Sequence, residues 1–159
     1  MTTTRGWHDE VTLEIAAEPE QLWELIADVT RMGEWSPVCR RCEWTDGSTR
    51  ADVGARFIGH SREGPARWSR PCEVTVSDPG REFSFRTFFK GRESTRWHYR
   101  LEPTATGTRV VESYEVVAMP WFVQLLHRLP GMHAKRRRDG VRSMTHTLQR
   151  LRAEAERSH

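Results

Sequence analysis

The chain has 159 residues, of which 36% are hydrophobic and 30% charged, with a formal net charge of +3. This length predicts one domain with a buried core, and so mild a positive charge gives no reason to expect a nucleic-acid-binding protein. No apolar run approaches the roughly 18 residues of a membrane span, and MTTTRGWHDE lacks the apolar stretch of a secretory signal, so we expect a cytoplasmic protein.

The first part of the chain predicts one strand followed by two short helices. Val11, Leu13 and Ile15 alternate with polar residues, which indicates a half-buried strand. Pro19 suits the first turn of a helix. Gly33 ends or bends that helix, and EWSP predicts a second short helical piece.

The middle of the chain predicts a series of short strands. Apolar and polar residues alternate between successive turn signals, as in ESTRWHYRLE, which indicates an antiparallel meander with one face in water. The turn signals lie at residues 46–48, 62–65, 78–80, 90–93 and 103–107.

The C-terminal part has a helical period. An apolar segment over 121–129 ends at a Pro-Gly pair, and apolar residues then recur at helical spacing to about residue 155. Residues 1–9 have no such pattern and predict a flexible arm, so that 10–156 form a single domain. The order of strand, short helices, strands and long helix predicts the α+β class.

Four segments resemble a known family: IAAEPEQLWELIADV, GEWSP, DVGARFIG and WHYRLEPTATGTRVVESYEV. On these segments the chain is similar to the START-like (SRPBCC) superfamily and, within it, to the polyketide cyclase/dehydrase and lipid transport family. The resemblance implies a helix-grip fold, in which a curved seven-stranded antiparallel sheet wraps around the C-terminal helix. It also implies an internal cavity for an apolar or aromatic small molecule, with no shared cofactor or catalytic motif.

Aromatic residues at inward-facing positions give the strongest indication of a ligand site. Apolar walls with few polar groups are typical of small-molecule pockets, although any one of these residues can instead fill the core. We predict that the wall also includes Phe122 and Met144 on the covering helices. The inward set is Trp35, Phe57, Trp68, Phe83, Phe85, Trp97, Tyr99 and Tyr114.

Two charged residues fall on inward positions of the predicted strands. Arg70 shares a face with Cys72 and Val74, and Glu112 shares one with Tyr114. A buried charge is costly unless it is paired, so the two residues either pair, with one another or with other groups, or lie near a solvated cavity mouth. Glu112 is the candidate catalytic residue, because a carboxyl in an apolar pocket can act as a general acid or base.

The motif Cys39-x-x-Cys42 admits three interpretations. A structural zinc site needs about four ligands, and only one cysteine pair is present, so we predict no metal. A redox motif usually has its thiol at a helix N-terminus, whereas Cys39 and Cys42 come after a helix and enter a strand. Structural thiols beside the cavity are the favoured interpretation, and redox activity stays open.

The stretch HAKRRRDGVR is basic and lies at the start of the last helix. It is typical of a solvated helix face, and weak contact with a membrane surface is the alternative. We expect no nucleic-acid partner and no transmembrane segment. The sequence does not determine the oligomeric state.

Two functions fit these features. The first is the binding of an apolar or aromatic small molecule, lipid or polyketide-like, in the cavity between sheet and C-terminal helix. The second is a cyclase or dehydratase in which Glu112 or a tyrosine moves protons. The resemblance implies a pocket for both and a cofactor for neither.

Overall fold

One antiparallel sheet and one long helix make up most of the molecule. The computed structural model describes residues 7–157. Its strands are β1 (His8–Ile15), β2 (Cys39–Thr45), β3 (Arg56–Glu63), β4 (Ala66–Asp78), β5 (Glu82–Phe89), β6 (Arg92–Thr104) and β7 (Gly107–Val116). Its α-helices are α1 (Pro19–Ala27), α2 (Met32–Trp35), α3 (Trp121–Leu126) and α4 (Met132–Arg157), and a 3-10 helix (Val29–Arg31) lies between α1 and α2.

The sheet has seven strands in the order β1-β7-β6-β5-β4-β3-β2. Turns of two or three residues join successive strands from β3 to β7, a longer connection over 46–55 joins β2 to β3, and β1 closes one edge by pairing with β7. The curved sheet, the long C-terminal helix and the short helices after β1 confirm the predicted α+β helix-grip fold.

The core lies between one face of the sheet and the C-terminal half of α4. Apolar residues at alternate strand positions meet a stripe on α4 that begins at Met144 and continues through Leu148 and Leu151. The first three turns of α4 contribute no buried residue, and neither does α3. The buried apolar contacts of the helix are therefore concentrated in its C-terminal half.

The N-terminal boundary differs from the sequence-based expectation. Strand β1 begins at His8, since His8 and Asp9 pair with Glu115 and Tyr114 of β7. The backbone N–H of Val116 also donates to the carbonyl of Trp7. Residues 7–9, assigned to a flexible arm, thus belong to the folded part, and residues 1–6 lie outside the described residues.

Candidate functional site

The most unusual polar contact of the interior joins Tyr99 and Glu112. The pairing of β6 with β7 sets these residues opposite one another on the core-facing side. The Tyr99 hydroxyl donates a hydrogen bond of 2.5 Å to Glu112 Oε1. Both residues are buried, with 6% and 3% of their surface exposed. The register of β6 against β7 thus brings an acid and a phenol together in the interior.

Burial keeps the carboxyl of Glu112 neutral. The loss of hydration raises the pKa of Glu112 to about 8, although the hydrogen bond from Tyr99 acts in the opposite direction. Burial, and secondarily the neighbouring carboxyl, raises the pKa of Tyr99 well above its usual value. Within residues 7–157, Glu112 Oε2 has no hydrogen-bond partner. The pair therefore holds one buried polar oxygen whose hydrogen bonding is incomplete.

A small cavity lies beside Tyr99, beneath α2. Its volume is about 10 Å³, room for roughly one water molecule. A ligand pocket usually has several hundred Å³, so the predicted chamber is nearly closed in this structure. The lining residues are Ile26, Met32, Trp35, Tyr99, Thr147 and Leu151.

The predicted aromatic wall packs mostly against itself. Phe57 and Phe83 are fully buried, and the ring centroid of Phe85 lies 5.2 Å from that of Phe57 and 5.8 Å from that of Phe83. Met144 is buried on α4. These four residues form the core, whereas Trp35 and Tyr99 are the two predicted residues that line the small cavity. A role of the four in binding a ligand stays a prediction.

Tyr114 belongs to a polar network that ties α4 to the sheet. Its hydroxyl donates to Asp9 Oδ2 at 2.8 Å and accepts from Trp7 Nε1 at 2.9 Å. Arg137 of α4 binds both oxygens of Asp9, at 2.7 and 3.2 Å. Its hydrogen bonds lower the pKa of Asp9, and burial raises the pKa of Tyr114 to about 12.

Sequence reasoning missed Trp7, Asp9 and Arg137 because the first two were assigned to the arm and the third to a basic patch. The ring of Trp97 packs on Tyr114 at 5.2 Å, so Trp97 lies beside this network. A glycine inside a helical pattern, Gly140, was the one available signal of a close approach at this point.

Arg70 lies near α3, and its partner is the ring of Phe89, not the carboxyl of Glu112. Its guanidinium carbon lies 4.7 Å from the ring centroid of Phe89, which in turn faces Phe122 of α3 at 6.3 Å. Burial, and then the charge of Arg136, lowers the pKa of Arg70. The pairing of Arg70 with Glu112 that the sequence left open is not formed, because Glu112 takes its hydrogen bond from Tyr99.

The predicted residues therefore divide into an inner and an outer group. The inner group, Tyr99 and Glu112, lies in the interior near Trp35. The outer group is Arg70 and Phe122 together with Phe89, whose ring both approach. Trp68 is half-buried on β4, two residues from Arg70. Phe122 is 44% exposed.

A surface depression and groups of metal-binding side chains are the other places where a site could lie. A surface depression of about 430 Å³ lies between the β1–α1 connection and the β6–β7 turn. Glu18 is the one charged residue in its lining, which gives it little chemistry. Among residues 7–157, no three His, Cys, Asp or Glu side chains are arranged to hold a metal ion.

A comparison with protein families shows which family this chain belongs to. A family model described as polyketide cyclase/dehydrase and lipid transport matches residues 7–156. The chain belongs to this family.

Members and structural neighbours of this polyketide cyclase family share the fold over nearly the whole chain. The solution structure of a polyketide-cyclase-like protein from Corynebacterium glutamicum is 31% identical, covers 96% of this chain and 93% of its own, and has a TM-score of 0.64. The Zhui aromatase/cyclase from a Streptomyces species is 19% identical, with coverages of 96% and 94% and a TM-score of 0.72.

A third neighbour is the di-domain aromatase/cyclase StfQ of the steffimycin biosynthetic pathway. It is 14% identical, with a TM-score of 0.76, and the match covers 95% of this chain and 51% of that one. At this identity the likeness concerns the fold alone. A comparison with curated proteins gives no significant match. None of the described helices is both long and apolar enough to cross a membrane.

Proposed function

We propose that this protein binds one apolar or aromatic small molecule, lipid or polyketide-like, between the sheet and α4. The observation that supports this most is the buried Tyr99–Glu112 pair with its unpartnered Oε2. A polar group in an apolar interior costs free energy unless it is hydrogen-bonded. A carbonyl or hydroxyl of the ligand would supply the missing partner, and the surrounding apolar surface would supply most of the affinity.

Binding of such a ligand requires the interior to open. The part of the molecule best placed to move is α3 with the first turn of α4, because neither has a buried residue and both precede the Arg137–Asp9 contact. In this proposal the ligand passes the outer group of Arg70, Phe89 and Phe122. It then reaches Tyr99 and Glu112, while the firmly packed end of α4 stays in place.

Native mass spectrometry of the purified chain with palmitate or an anthraquinone tests the proposal. We expect one-to-one complexes, and we expect Glu112→Met, which removes both carboxyl oxygens at similar length, to weaken them about three- to ten-fold, the value of one hydrogen bond. Glu112→Gln should bind almost normally, because its amide can still accept from Tyr99 and donate to the ligand. Glu115→Met is the matched control, because Glu115 lies on the same strand with its side chain 42% exposed. Absence of complexes with both probes would contradict ligand binding. Equal affinity of the Glu112→Met variant would contradict the anchoring role of the pair.

A second candidate function is that of a cyclase or dehydratase. The raised pKa of Glu112 favours it, since a carboxyl that is neutral at pH 7 can donate a proton to a departing hydroxyl or polarise a carbonyl. Tyr99 would fix Oε1, leaving Oε2–H toward the substrate. In the same experiment, a polyketide-like ligand that loses one water with the wild type, and stays intact when bound to Glu112→Gln, would establish the enzyme.

The proposal also covers the compartment in which the protein acts. The cytoplasm is the proposed compartment, in keeping with the free thiols of Cys39, Cys42 and Cys72.

We also propose weak contact with an anionic membrane surface, through the exposed apolar side chains of α3 and the basic start of α4. Such contact would let the protein collect or release an apolar ligand without exposing it to water.

A further inference from the structure

The two cysteines of the CxxC motif lie on the same face of β2. In a regular strand, residues three apart point to opposite faces. A bulge shifts the register between Cys39 and Arg41, so that Cys39 lies opposite Ser61 and Cys42 lies opposite Gly59. The extra residue reverses the alternation and brings both thiols to the side of the core.

The two sulfur atoms are close and have nothing between them. Cys39 Sγ lies 3.3 Å from Cys42 Sγ. Bonded sulfurs are about 2.05 Å apart, so closure requires an approach of little more than about 1 Å. A Cβ built on Gly59 would lie 3.6 Å from each sulfur, which places both over the one residue of β3 that has no side chain.

The surroundings give the two thiols different roles. Cys39 is half-buried, whereas Cys42 is 4% exposed. The hydrogen bond from Cys42 lowers the pKa of the Cys39 thiol, and the same contact together with burial raises the pKa of Cys42. Cys39 is therefore the accessible nucleophile, and Cys42 waits behind it as the thiol that resolves an oxidised Cys39.

We propose that Cys39 and Cys42 are a reversible thiol–disulfide pair that a hydroperoxide oxidises. The Cys39 thiolate attacks the terminal peroxide oxygen and the O–O bond breaks, so that Cys39 becomes a sulfenic acid and an alkoxide leaves, or hydroxide where the oxidant is hydrogen peroxide. Cys42 then attacks the Cys39 sulfur, loses its proton and displaces water. Two electrons pass from the thiols to the peroxide, and a small dithiol reverses the reaction through a mixed disulfide. This inference is independent of the proposed function.

The disulfide would form next to the interior cavity. Cys42 Sγ lies 3.8 Å from the sulfur of Met32, and Met32 lines that cavity with Trp35. Closure draws the Cys42 sulfur, which contacts Met32, toward Cys39. The redox state of the pair is thus placed to alter the packing under α2.

Peptide mapping after treatment with stoichiometric hydrogen peroxide tests the proposal. Trypsin cuts after Arg40 and Arg41, so Cys39 and Cys42 fall on separate peptides, 32–40 and 42–50, unless a disulfide joins them. We expect the joined peptides from the full chain and from Cys72→Ser, and their separation by dithiothreitol. Alkylation of Cys39 by iodoacetamide should fall at least about ten-fold on oxidation.

Three results would overturn the proposal: separate peptides after oxidation, a link to Cys72 instead, or an equal rate of linking in guanidinium chloride. The last comparison matters because a CxxC pair can also close in an unfolded chain, whereas the bulge predicts faster closure in the folded one. In Cys42→Ser we expect Cys39 to stop at the sulfenic acid or a more oxidised form, which keeps the order of the two steps testable.

Discussion

At the scale of single residues, burial raises the pKa of Glu112 and the hydrogen bond from Tyr99 lowers it. Burial of an ionised carboxyl in an apolar interior is strongly unfavourable, and one hydrogen bond from Tyr99 does not offset it. The group therefore stays protonated near neutral pH, with a pKa of about 8. A side chain that costs stability and is only half satisfied is typical of a functional position, which is why Glu112 is the centre of the proposed site.

The raised pKa of Glu112 predicts a pH dependence of folding. Below about pH 4.5 the carboxyl is protonated in both the folded and the unfolded chain, so it does not make the free energy of unfolding depend on pH. Between about pH 4.5 and about pH 8 the unfolded chain ionises while the folded one does not, so stability falls as pH rises, by up to about 5 kcal/mol in total. Urea unfolding at a series of pH values should show this loss in the wild type.

Glu112→Gln should remove that part of the pH dependence, since glutamine does not titrate. The difference in the free energy of unfolding between wild type and variant should then decrease steadily across this range. Glu115→Gln serves as the control that leaves the slope unchanged. Parallel curves for wild type and Glu112→Gln would show that the carboxyl is already ionised in the folded protein.

At the scale of elements, α4 is positioned by one close approach and one ionic contact. A Cβ on Gly140 would lie 2.8 Å from the Tyr114 hydroxyl and 3.2 Å from two ring carbons, so the absence of a side chain lets the ring pack against the helix. Arg137 anchors the same turn to Asp9. Together these contacts fix where the exposed first half of α4 crosses the sheet.

Replacement of Gly140 by alanine tests this approach. Alanine gains about 1 kcal/mol of helix propensity over glycine, whereas overpacking costs about 1–3 kcal/mol. Because the hydrogen bonds with Trp7 and Asp9 hold Tyr114 in place, we expect the clash to win and the free energy of unfolding to fall by about 1 kcal/mol. Tyr114→Phe removes the nearest atom, so a double-mutant cycle should show the alanine costing less in that background. Additive effects would mean that the ring moves aside freely.

At the scale of the whole molecule, an apolar and a basic surface adjoin. Five of the exposed large apolar side chains lie in one segment and are 44–71% exposed: Trp121, Phe122, Leu125, Leu126 and Leu129. The basic run over 135–138 follows on α4. An apolar segment beside basic residues is suited to an anionic lipid surface, where it can insert while the charges meet the head groups.

Sedimentation with phosphatidylglycerol vesicles tests this surface. We expect binding at low salt that weakens at about 0.5 M salt, because the charge attraction is screened. Trp121→Ser should reduce binding about five-fold or more. The matched control is Val53→Ser, since Val53 is 67% exposed but lies in the β2–β3 connection. Binding that is unaffected by Trp121→Ser, or equal with neutral vesicles, would contradict the membrane contact.

Much of the architecture could be predicted from the sequence because alternation and helical spacing report directly which side chains are buried. The strand series, the two short helices, the long terminal helix and the family resemblance all followed from local pattern. The identity of Glu112 as an inward carboxyl also followed, since its position in the alternation of β7 is enough to place it.

Only the tertiary structure decided which groups meet. The register of β6 against β7 pairs Glu112 with Tyr99 rather than with Arg70, and the bulge in β2 puts Cys39 and Cys42 on one face where simple alternation separates them. The arm residues Trp7 and Asp9 join the fold through partners more than a hundred residues away. The alternation of apolar and polar residues depends only on neighbours along the chain, so the sequence alone shows it. Register, bulges and close approaches depend on energies summed over many distant contacts, so only the folded chain determines them.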